Sequence, residues 1–482
     1  MVDGQLYDLD ILNRIEGEGL KGFERIGIWV NQFPFDQKLC GNKKICTIFG
    51  TLSVTHKDWL DNFDDFIDIK ALNDQDFYTQ TYPDLLGRHI NLHDLLKFIF
   101  DDYDIYHITD RSYLGELFLS QQDVSIFEMV VKCIDCLTSR KLDLFIVPVT
   151  PHGPIIHVLT KCVEFLKIPI IHVRRASLPW RAIAELGLGR NSIPLKIKTS
   201  DTEPEIIIQK QYMDNYIRLF RSSYEEGIPI YEKQMATKYN GKLTNRLKNY
   251  WRWVKKDRTV NGLLVTMSMH KSLDRLVRSW EIPVPGEKYV FFSLHVQPER
   301  TTLPEGGVFN QQINALNLLR MLLPDEIKIY VREHPSVYRR RKYREKFRPH
   351  DFYTRIQTIP NVFMVSSFLD NYELIDNSLF CATINGTVAI EAVARGKFCI
   401  YYGNAHYKNL DGAIHVDAIL KSPQILNNII ERKLVINPES IKKYFMEQIR
   451  YSEGKKVNDM DFADYDIHYR SISDMIVRLM VV

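Results

Sequence analysis

The chain has 482 residues, of which 45% are hydrophobic and 26% are charged, and its formal net charge is +3. These values are typical of folded globular proteins, so they exclude a mainly disordered or low-complexity chain. A dedicated nucleic-acid-binding protein usually has a clear basic excess, which 63 basic and 60 acidic residues do not provide. At about 150 residues per domain, the length predicts two or three domains.

The sequence favours a protein of the reducing cytoplasm. The acidic N-terminus has no apolar stretch of the kind found in secretory signals, and no run of 18 apolar residues predicts a transmembrane helix. Cys133 and Cys136 form a CxxC motif without the second ligand pair that a zinc site needs, which favours a helix with two half-buried thiols. Three further cysteines in apolar runs are predicted to be buried thiols: Cys162, Cys381 and Cys399.

The first part of the chain alternates between short apolar runs and a helix-length segment. A segment with helical spacing, residues 151–168, lies between the last two apolar runs and predicts a βαβ unit on a parallel sheet. We therefore expect one α/β domain over residues 1–198. The predicted strands are 25–30, 44–49, 105–108, 143–149 and 169–173.

Residues 199–284 have a different character, with a helical pattern that is rich in Tyr, Trp, Lys and Arg. Residues 238–258 contain eight basic residues and one acidic residue, interleaved with tyrosines and tryptophans. A helix of this composition can lie on an anionic membrane surface. The alternative is an interdomain helix with a solvated charged face and its tryptophans in the core.

The alternation of strands and helices restarts at residue 288. The strands are almost entirely apolar, as expected for a parallel sheet that is covered on both faces. A second doubly wound domain is predicted over residues 285–435, and helices over 436–482. The predicted strands are 288–294, 327–333, 361–366, 378–384 and 398–403, and the predicted helices are 310–323, 370–377 and 387–395.

Polar loops follow the strands of this second domain, where ligands bind in open α/β sheets. The loop after 288–294 contains Gln297 and Glu299 and is either a ligand loop or an ordinary βα connection. The next loop contains His334, a residue type suited to proton transfer or phosphate binding, and Pro335 keeps its backbone out of the helical region. Seven of the ten residues 339–348 are basic, which is typical of a solvated helix face but could also attract a phosphate-bearing ligand.

The remaining two loops contain hydroxyl groups and a tight turn. Ser366 and Ser367 end one strand, where they could bind phosphate or ribose or could cap the next helix. In the turn 385–387, Asn-Gly-Thr opens a helix, so free backbone N–H groups predict an anion site. Glu391 lies one turn after Thr387 and could accept hydrogen bonds from ribose. The alternative is a capped core helix that ends at Gly396.

The order QPE…TT, REHPS, NV…VSS and INGTVAIEAVARGKFCIYYG resembles the bacterial capsule-polysaccharide biosynthesis glycosyltransferases, a GT-B family that includes the Kdo transferases of capsule linker synthesis. The motifs cover about residues 285–405, and PVTPHGPIIHVLTKCVEFLKIPIIHV is similar to the first domain of that family. Phe398 stands where the family usually has Pro, which should alter the turn slightly and leave the site intact. The resemblance implies a GT-B-like fold, with two doubly wound Rossmann-like domains facing a cleft, a helical insert and C-terminal helices.

The resemblance also implies roles for individual residues. His334 and the turn 385–387 would meet the donor phosphates, Glu391 the ribose, and His152 the acceptor side. The residues expected to be catalytic are His334, His152 and Glu299. The residues expected to bind the donor are Gln297, Arg332, Glu333, Ser366, Ser367, Asn385, Gly386, Thr387 and Glu391.

The predicted function is therefore sugar transfer from a nucleotide sugar to a surface glycan or glycolipid. Asp64-Asp65 and Asp101-Asp102 lie outside the donor loops, so we expect a metal-independent reaction. His152 is the candidate base, with Asp110 behind it. We expect no cofactor beyond the nucleotide sugar as co-substrate, for which a CMP-linked donor is one candidate. A polyol-phosphate transferase of the same fold and a non-catalytic nucleotide-sugar-binding assembly factor are the alternatives. The expected location is cytoplasmic, with contact to the inner membrane face through residues 238–258.

Overall fold

The computed structural model describes residues 9–29, 45–50, 66–68, 90–110, 119–222, 280–297, 299–335, 337, 348, 351–367, 369–454 and 465–481. The basic aromatic segment 238–258 lies outside these residues, as does the basic run 339–348 apart from Arg348. None of the described helices combines the length and the apolar content that crossing a membrane requires.

The strands and helices alternate along most of the described chain. The strands are β1 (Ile26–Trp29), β2 (Ile45–Gly50), β3 (Phe66–Asp68), β4 (Leu144–Val147), β5 (Ile170–Arg175), β6 (Arg181–Leu186), β7 (Ile193–Pro194), β8 (Tyr289–Ser293), β9 (Lys328–Arg332), β10 (Val362–Val365), β11 (Cys381–Thr383), β12 (Cys399–Tyr401), β13 (Ala413–His415) and β14 (Glu453–Gly454). The helices are α1 (Leu9–Glu18), α2 (Leu92–Phe100), α3 (Tyr103–Asp110), α4 (Leu119–Arg140), α5 (Pro154–Phe165), α6 (Glu203–Arg221), α7 (Gln312–Leu322), α8 (Phe352–Gln357), α9 (Asn371–Asn377), α10 (Val388–Ala394), α11 (Val416–Lys421), α12 (Gln424–Ile430), α13 (Ser440–Arg450) and α14 (Tyr465–Val481).

The chain divides into two compact units. The first comprises residues 1–211, 303–307 and 445–482, and the second comprises 212–302 and 308–444. The C-terminal residues therefore return to the first unit, where β14 pairs antiparallel with β6.

The sheet of the first unit has the order β14-β6-β5-β4-β1-β2-β3, with β7 paired to β6. The pairs from β5 to β3 are parallel. One apolar core contains residues of α4 and α5, and a second contains residues of α1 and α14. The apolar strands are therefore covered on both faces by helices, which is the arrangement of a doubly wound α/β unit and agrees with the sequence prediction.

Among the described residues of the second unit, six parallel strands form a sheet in the order β10-β9-β8-β11-β12-β13. Counted from its first strand, the order is 3-2-1-4-5-6, which is the doubly wound order of dinucleotide-binding folds. From β8 the chain continues outward to β9 and β10, and from β11 it continues outward on the other side to β12 and β13. The strand order therefore reverses between β8 and β11, which makes this position the topological switch point of the sheet. The prediction of a second doubly wound α/β domain is confirmed.

One predicted strand is wrong. Residues 105–108 lie in helix α3, and Ile105 and Ile108 are both fully buried while Tyr106 and His107 are half-buried. Buried residues three positions apart are typical of one face of a helix. In the sequence, a four-residue apolar run is compatible with either a helix or a strand, so the pattern alone could not decide between them. The Thr109 hydroxyl also donates to the carbonyl of Ile105, within the helix.

The cysteine predictions are confirmed except that Cys133, expected to be half-buried, is fully buried. Cys133 and Cys136 lie on α4, the first buried and the second half-buried. Cys162, Cys381 and Cys399 are buried, and burial raises the pKa of each thiol above its usual value. These three thiols are therefore protonated packing groups at neutral pH.

Candidate functional site

The carboxyl ends of β8, β9, β10 and β11 each lead directly into polar residues. Because these strands are parallel, all four loops lie at the same edge of the sheet, as the sequence predicts. The polar residues at this edge include His295, Gln297, Glu299, Glu333, His334, Ser366, Ser367, Asn385 and Thr387, and Gly386 lies between the last two.

The His295 ring joins the loops after β8 and β11. Its Nε2 atom accepts a hydrogen bond from the backbone N–H of Asn385 at 3.0 Å and lies 3.1 Å from Thr383 Oγ1. Burial, together with smaller electrostatic contributions from His334 and Arg348, lowers the pKa of His295 to about 3. The imidazole is therefore neutral at physiological pH, which lets Nε2 act as an acceptor.

The turn after β11 is closely packed. A Cβ atom on Gly386 would lie 2.7 Å from Thr383 Oγ1 and 3.3 Å from His295 Nε2, so only glycine fits here without movement. The Gly386 N–H donates to Thr383 Oγ1, and the Asn385 side chain donates to the carbonyl of Thr301. The backbone N–H groups of Asn385 and Gly386 therefore both have partners, His295 Nε2 and Thr383 Oγ1. The sequence had led us to expect free N–H groups in this turn.

Helix α10 starts at Val388 and is only seven residues long. Thr387 is exposed at its start, and its hydroxyl donates to Glu391 Oε1 at 3.2 Å. The other carboxylate oxygen of Glu391 accepts from Asn371 Nδ2 at 2.7 Å, and Asn371 Oδ1 lies 3.4 Å from Arg332 Nη1. Glu391 is half-buried, and both oxygens of its carboxylate are oriented by other side chains.

Glu333 and His334 follow β9 but occupy different surroundings. Glu333 is fully buried, and its Oε1 accepts from the backbone N–H of His334 at 2.7 Å. The Ser367 hydroxyl donates to the carbonyl of Glu333 at 2.8 Å. His334 is half-buried, so its side chain, and not that of Glu333, reaches the surface of the edge.

Arg332, Ser366 and Ser367 lie at the ends of β9 and β10. The Arg332 guanidinium is buried and donates to the carbonyl of Ser367 at 2.9 Å. Ser367 is buried and Ser366 half-buried. Of the two serines, Ser366 is therefore the one placed to meet a ligand.

Gln297 and Glu299 support the loop after β8. Gln297 Nε2 donates to the carbonyl of Asn310, and Gln297 Oε1 accepts from Gln312 Nε2 and from Arg348 Nη1. Glu299 is half-buried, and its carbonyl accepts from the N–H and hydroxyl of Thr302. Both polar atoms of the Gln297 side chain thus bind other parts of the protein.

Sequence reasoning missed Arg348 and His295. Arg348 ends a run that we interpreted as a solvated face or as attracting a phosphate-bearing ligand. It is only 3% exposed, so the solvated face is wrong for this residue, and the attraction of a ligand stays a prediction. His295 lies inside the loop selected from the sequence, yet only its position beside β11 indicates its role. A buried arginine within a basic run carries no local sequence signal, because its acceptors lie on distant segments.

In the first unit, His152 follows β4, next to the switch between β1 and β4. His152 Nδ1 lies 2.9 Å from the carbonyl oxygen of Thr150, and the Thr150 hydroxyl donates to Glu305 Oε1 at 2.7 Å. Asp110 is the last residue of α3.

Asp102 accepts hydrogen bonds from His157 at 3.3 Å and from Lys161 at 3.0 Å. Burial alone would raise the pKa of Asp102, but these two partners hold it below its usual value.

Among the described residues, no group of three or more His, Cys, Asp or Glu side chains is arranged to hold a metal ion. No protein-family model and no curated protein sequence matches the chain.

Three solved structures illustrate the structural likeness. The β-Kdo 2,7 transferase KpsC of Thermosulfurimonas dismutans is 10% identical, with a TM-score of 0.31 over 75% of this chain and 97% of that one. The UDP-GlcNAc 2-epimerase of Methanocaldococcus jannaschii is 12% identical, with a TM-score of 0.23 over 95% and 98%. A kitacinnamycin glycotransferase is 11% identical, with a TM-score of 0.22 over 94% and 98%.

The capsule Kdo transferases that the sequence motifs resemble are thus also among the structures to which the chain is similar. Because all three TM-scores are below 0.5, the function proposed below rests on the geometry of the residues.

Proposed function

We propose that the protein is a glycosyltransferase that moves a sugar from a nucleotide-sugar donor to a surface glycan or glycolipid, without a metal ion. The observation that carries the proposal is the grouping of His334, Thr387 and Glu391 at one edge of a sheet with the order 3-2-1-4-5-6. A nucleotide bound at the switch point of such a sheet meets the loops after its first and fourth strands, and the fourth strand, β11, leads to Thr387 and Glu391. His334 follows the second strand, β9, which pairs with the first. Two doubly wound units in one chain also agree with the GT-B resemblance.

On the donor side, His334 and the Thr387 hydroxyl are proposed to bind the phosphates, with Ser366 beside the nucleotide. In the transition state the bond between the anomeric carbon and the phosphate oxygen breaks, so negative charge grows on the phosphate. A protonated His334 would stabilise that charge. Glu391 is proposed to accept hydrogen bonds from the ribose hydroxyls, since Asn371 and Thr387 already orient its carboxylate.

For the acceptor side we propose His152 as the base. Its Nδ1 must donate a proton to the Thr150 carbonyl in order to make the 2.9 Å hydrogen bond. The lone pair then lies on Nε2, which is the tautomer that can take a proton from an attacking hydroxyl. The hydroxyl oxygen would form the new bond to the anomeric carbon while its proton passes to Nε2.

The decisive experiment measures hydrolysis and transfer from CMP-, CDP-, UDP- and GDP-linked sugars by the wild type and by His334→Ala. We expect one donor class to be turned over by the wild type, and the rate to fall at least 100-fold in His334→Ala with the fold intact. His93→Ala, at an exposed histidine of the first unit, is the matched control. Full activity in His334→Ala would remove this residue from the site.

The same donor panel separates the other candidates. Turnover of a nucleotide-linked polyol with release of the nucleoside monophosphate indicates a polyol-phosphate transferase, whereas nucleotide binding without turnover indicates an assembly factor. A cytoplasmic location with contact to the inner membrane face through residues 238–258 is also part of the proposal. Co-sedimentation with anionic vesicles tests that contact, and its absence would remove it.

A further inference from the structure

Arg348 is a buried cation that joins two loops of the candidate site. Its Nε donates to Glu333 Oε2 at 2.7 Å and its Nη2 to Glu333 Oε1 at 3.2 Å. The same guanidinium donates to the carbonyl of His295 at 2.7 Å and to Gln297 Oε1 at 2.6 Å. It also lies 4.4 Å from the centre of the Phe352 ring. One side chain therefore links the loop after β8 to the loop after β9.

The Glu333 carboxylate extends this connection to His334. Its Oε1 accepts from the His334 N–H, and its Oε2 accepts from the Tyr353 hydroxyl at 2.8 Å. Arginine presents several donors in a rigid planar fork, so its contacts fix direction as well as distance. The backbone of His334 is thus held through Glu333 by a group that is itself fixed on several sides.

His295 carries the connection to a third loop. Arg348 binds the His295 carbonyl, and the His295 ring accepts from the N–H of Asn385, which precedes Gly386 and Thr387. A single buried guanidinium therefore relates the loops after β8, β9 and β11. Those loops hold His334 and Thr387, the proposed phosphate-binding residues.

We propose that Arg348 is a positioning residue, which acts through Glu333 on His334 and through His295 on the turn 385–387. This inference rests on the proposed function. It differs from the sequence interpretation, which gave Glu333 a donor contact and residues 339–348 either a solvated helix face or a role in attracting a phosphate-bearing ligand. Arg348 and Glu333 are 3% and 0% exposed, so both are turned inward. Their contribution is to set the geometry before the donor arrives.

Arg348→Lys in the 482-residue chain is the principal test. Lysine keeps the buried charge beside Glu333 but cannot bind Glu333, His295 and Gln297 at the same time. We expect a folded protein whose kcat for donor hydrolysis falls at least tenfold, with a smaller change in KM. Arg355→Met removes an arginine of the same unit whose side chain is 70% exposed, and should leave both constants unchanged.

A second readout does not depend on turnover. The NMR signal of the His334 imidazole, assigned by its loss in His334→Ala, should shift in Arg348→Lys and stay in place in Arg355→Met. If Arg348→Lys does not fold, the double variant Arg348→Met/Glu333→Gln, which removes both buried charges, takes its place. We expect the same fall in kcat and the same shift of the His334 signal in this variant.

The outcomes separate the two proposals. Wild-type kcat together with an unchanged His334 signal in a folded variant would overturn the positioning role. If the wild type hydrolyses none of the nucleotide sugars, the proposed function fails, while the His334 signal still tests the connection to Arg348. A shifted signal would then support the positioning role alone.

Discussion

His295 Nε2 accepts a hydrogen bond from the backbone N–H of Asn385 at 3.0 Å, although the two residues are 90 positions apart in the chain. This bond crosses the switch point between β8 and β11 and fixes the start of the turn that leads to Thr387. An imidazolium carries a proton on both nitrogens and cannot accept this bond. The site therefore depends on His295 remaining neutral.

The first prediction concerns the pH dependence of stability. The pKa of folded His295 is about 3, whereas an unfolded histidine has a value of about 6.5. Between these values the unfolded state binds more protons, so the free energy of unfolding falls as the pH decreases through this range and is fully retained above it. We expect His295 to account for a loss of about 3 kcal/mol between pH 7 and pH 4.

Urea denaturation of the wild type and His295→Gln at several pH values measures this effect. The variant should be less stable at pH 7, and its stability should depend less on pH below 6.5. His93→Gln, at an exposed histidine, should keep the wild-type dependence. Parallel curves for the wild type and His295→Gln would contradict the assigned pKa.

The second prediction concerns Gly386. In Gly386→Ala, the new methyl group would meet Thr383 Oγ1 at 2.7 Å and His295 Nε2 at 3.3 Å, so the turn must move. We expect nucleotide binding to weaken about tenfold, which corresponds to about 1.4 kcal/mol. Calorimetric titration with the preferred nucleotide measures the change.

Gly396→Ala is the control for this substitution. Gly396 has φ +77° and an open surrounding, so alanine strains the backbone there without touching the site. We expect a loss of stability of about 1 kcal/mol with unchanged nucleotide affinity. Equal affinity in both variants would show that the turn at Gly386 does not contact the nucleotide.

Strands β8 to β12 of the second unit were predictable because each lies in a mostly apolar run bounded by polar or turn residues. The three-residue strand β13, whose residues are only half-buried, was not predicted. The shared position of the candidate residues at one edge of the sheet was predictable for a related reason, since loops after parallel strands share one edge. His334, Thr387 and Glu391 could be selected because a His-Pro pair, an Asn-Gly turn and helical spacing are local patterns. Each of these signals spans fewer than ten residues.

The supporting contacts could not be predicted in this way. Arg348 reaches Glu333, 15 residues away, and His295, 53 residues away, and neither separation follows from a local pattern. Arg348 also lies in a basic run, whose composition favours exposure. Asn371 is visible in the sequence only as the start of a helix, although it orients Glu391, 20 residues later.

The third prediction concerns Glu391. Hydrogen bonds from ribose hydroxyls to a carboxylate are charge-assisted and contribute about 1.5–3 kcal/mol. Glu391→Gln should therefore weaken nucleotide binding roughly 10- to 100-fold, whereas Glu373→Gln, at an exposed position of α9, should not. Nucleotides with a 2′-deoxyribose should lose less affinity in Glu391→Gln than ribonucleotides do. An equal loss for both sugars would rule out the ribose contact.

The fourth prediction concerns Arg181, which attaches the C-terminal residues to the sheet of the first unit. Its side chain is fully buried, and it donates to Asp201 Oδ2 at 2.7 Å and to the carbonyl of Ile449 at 3.2 Å. Removing one partner of a buried ion pair leaves an uncompensated charge and costs about 3–5 kcal/mol. We expect Arg181→Met to lower the free energy of unfolding by that amount.

The location of the damage distinguishes this contact from the candidate site. Limited proteolysis should cut Arg181→Met faster near residues 445–454, where β14 pairs with β6. Arg190→Met, at an exposed position after β6, is the control and should retain the wild-type rate of cleavage. Nucleotide binding should persist in folded Arg181→Met, because the proposed donor residues belong to the second unit. Loss of binding at a temperature where the variant is still folded would contradict the placement of all the donor-binding residues in the second unit.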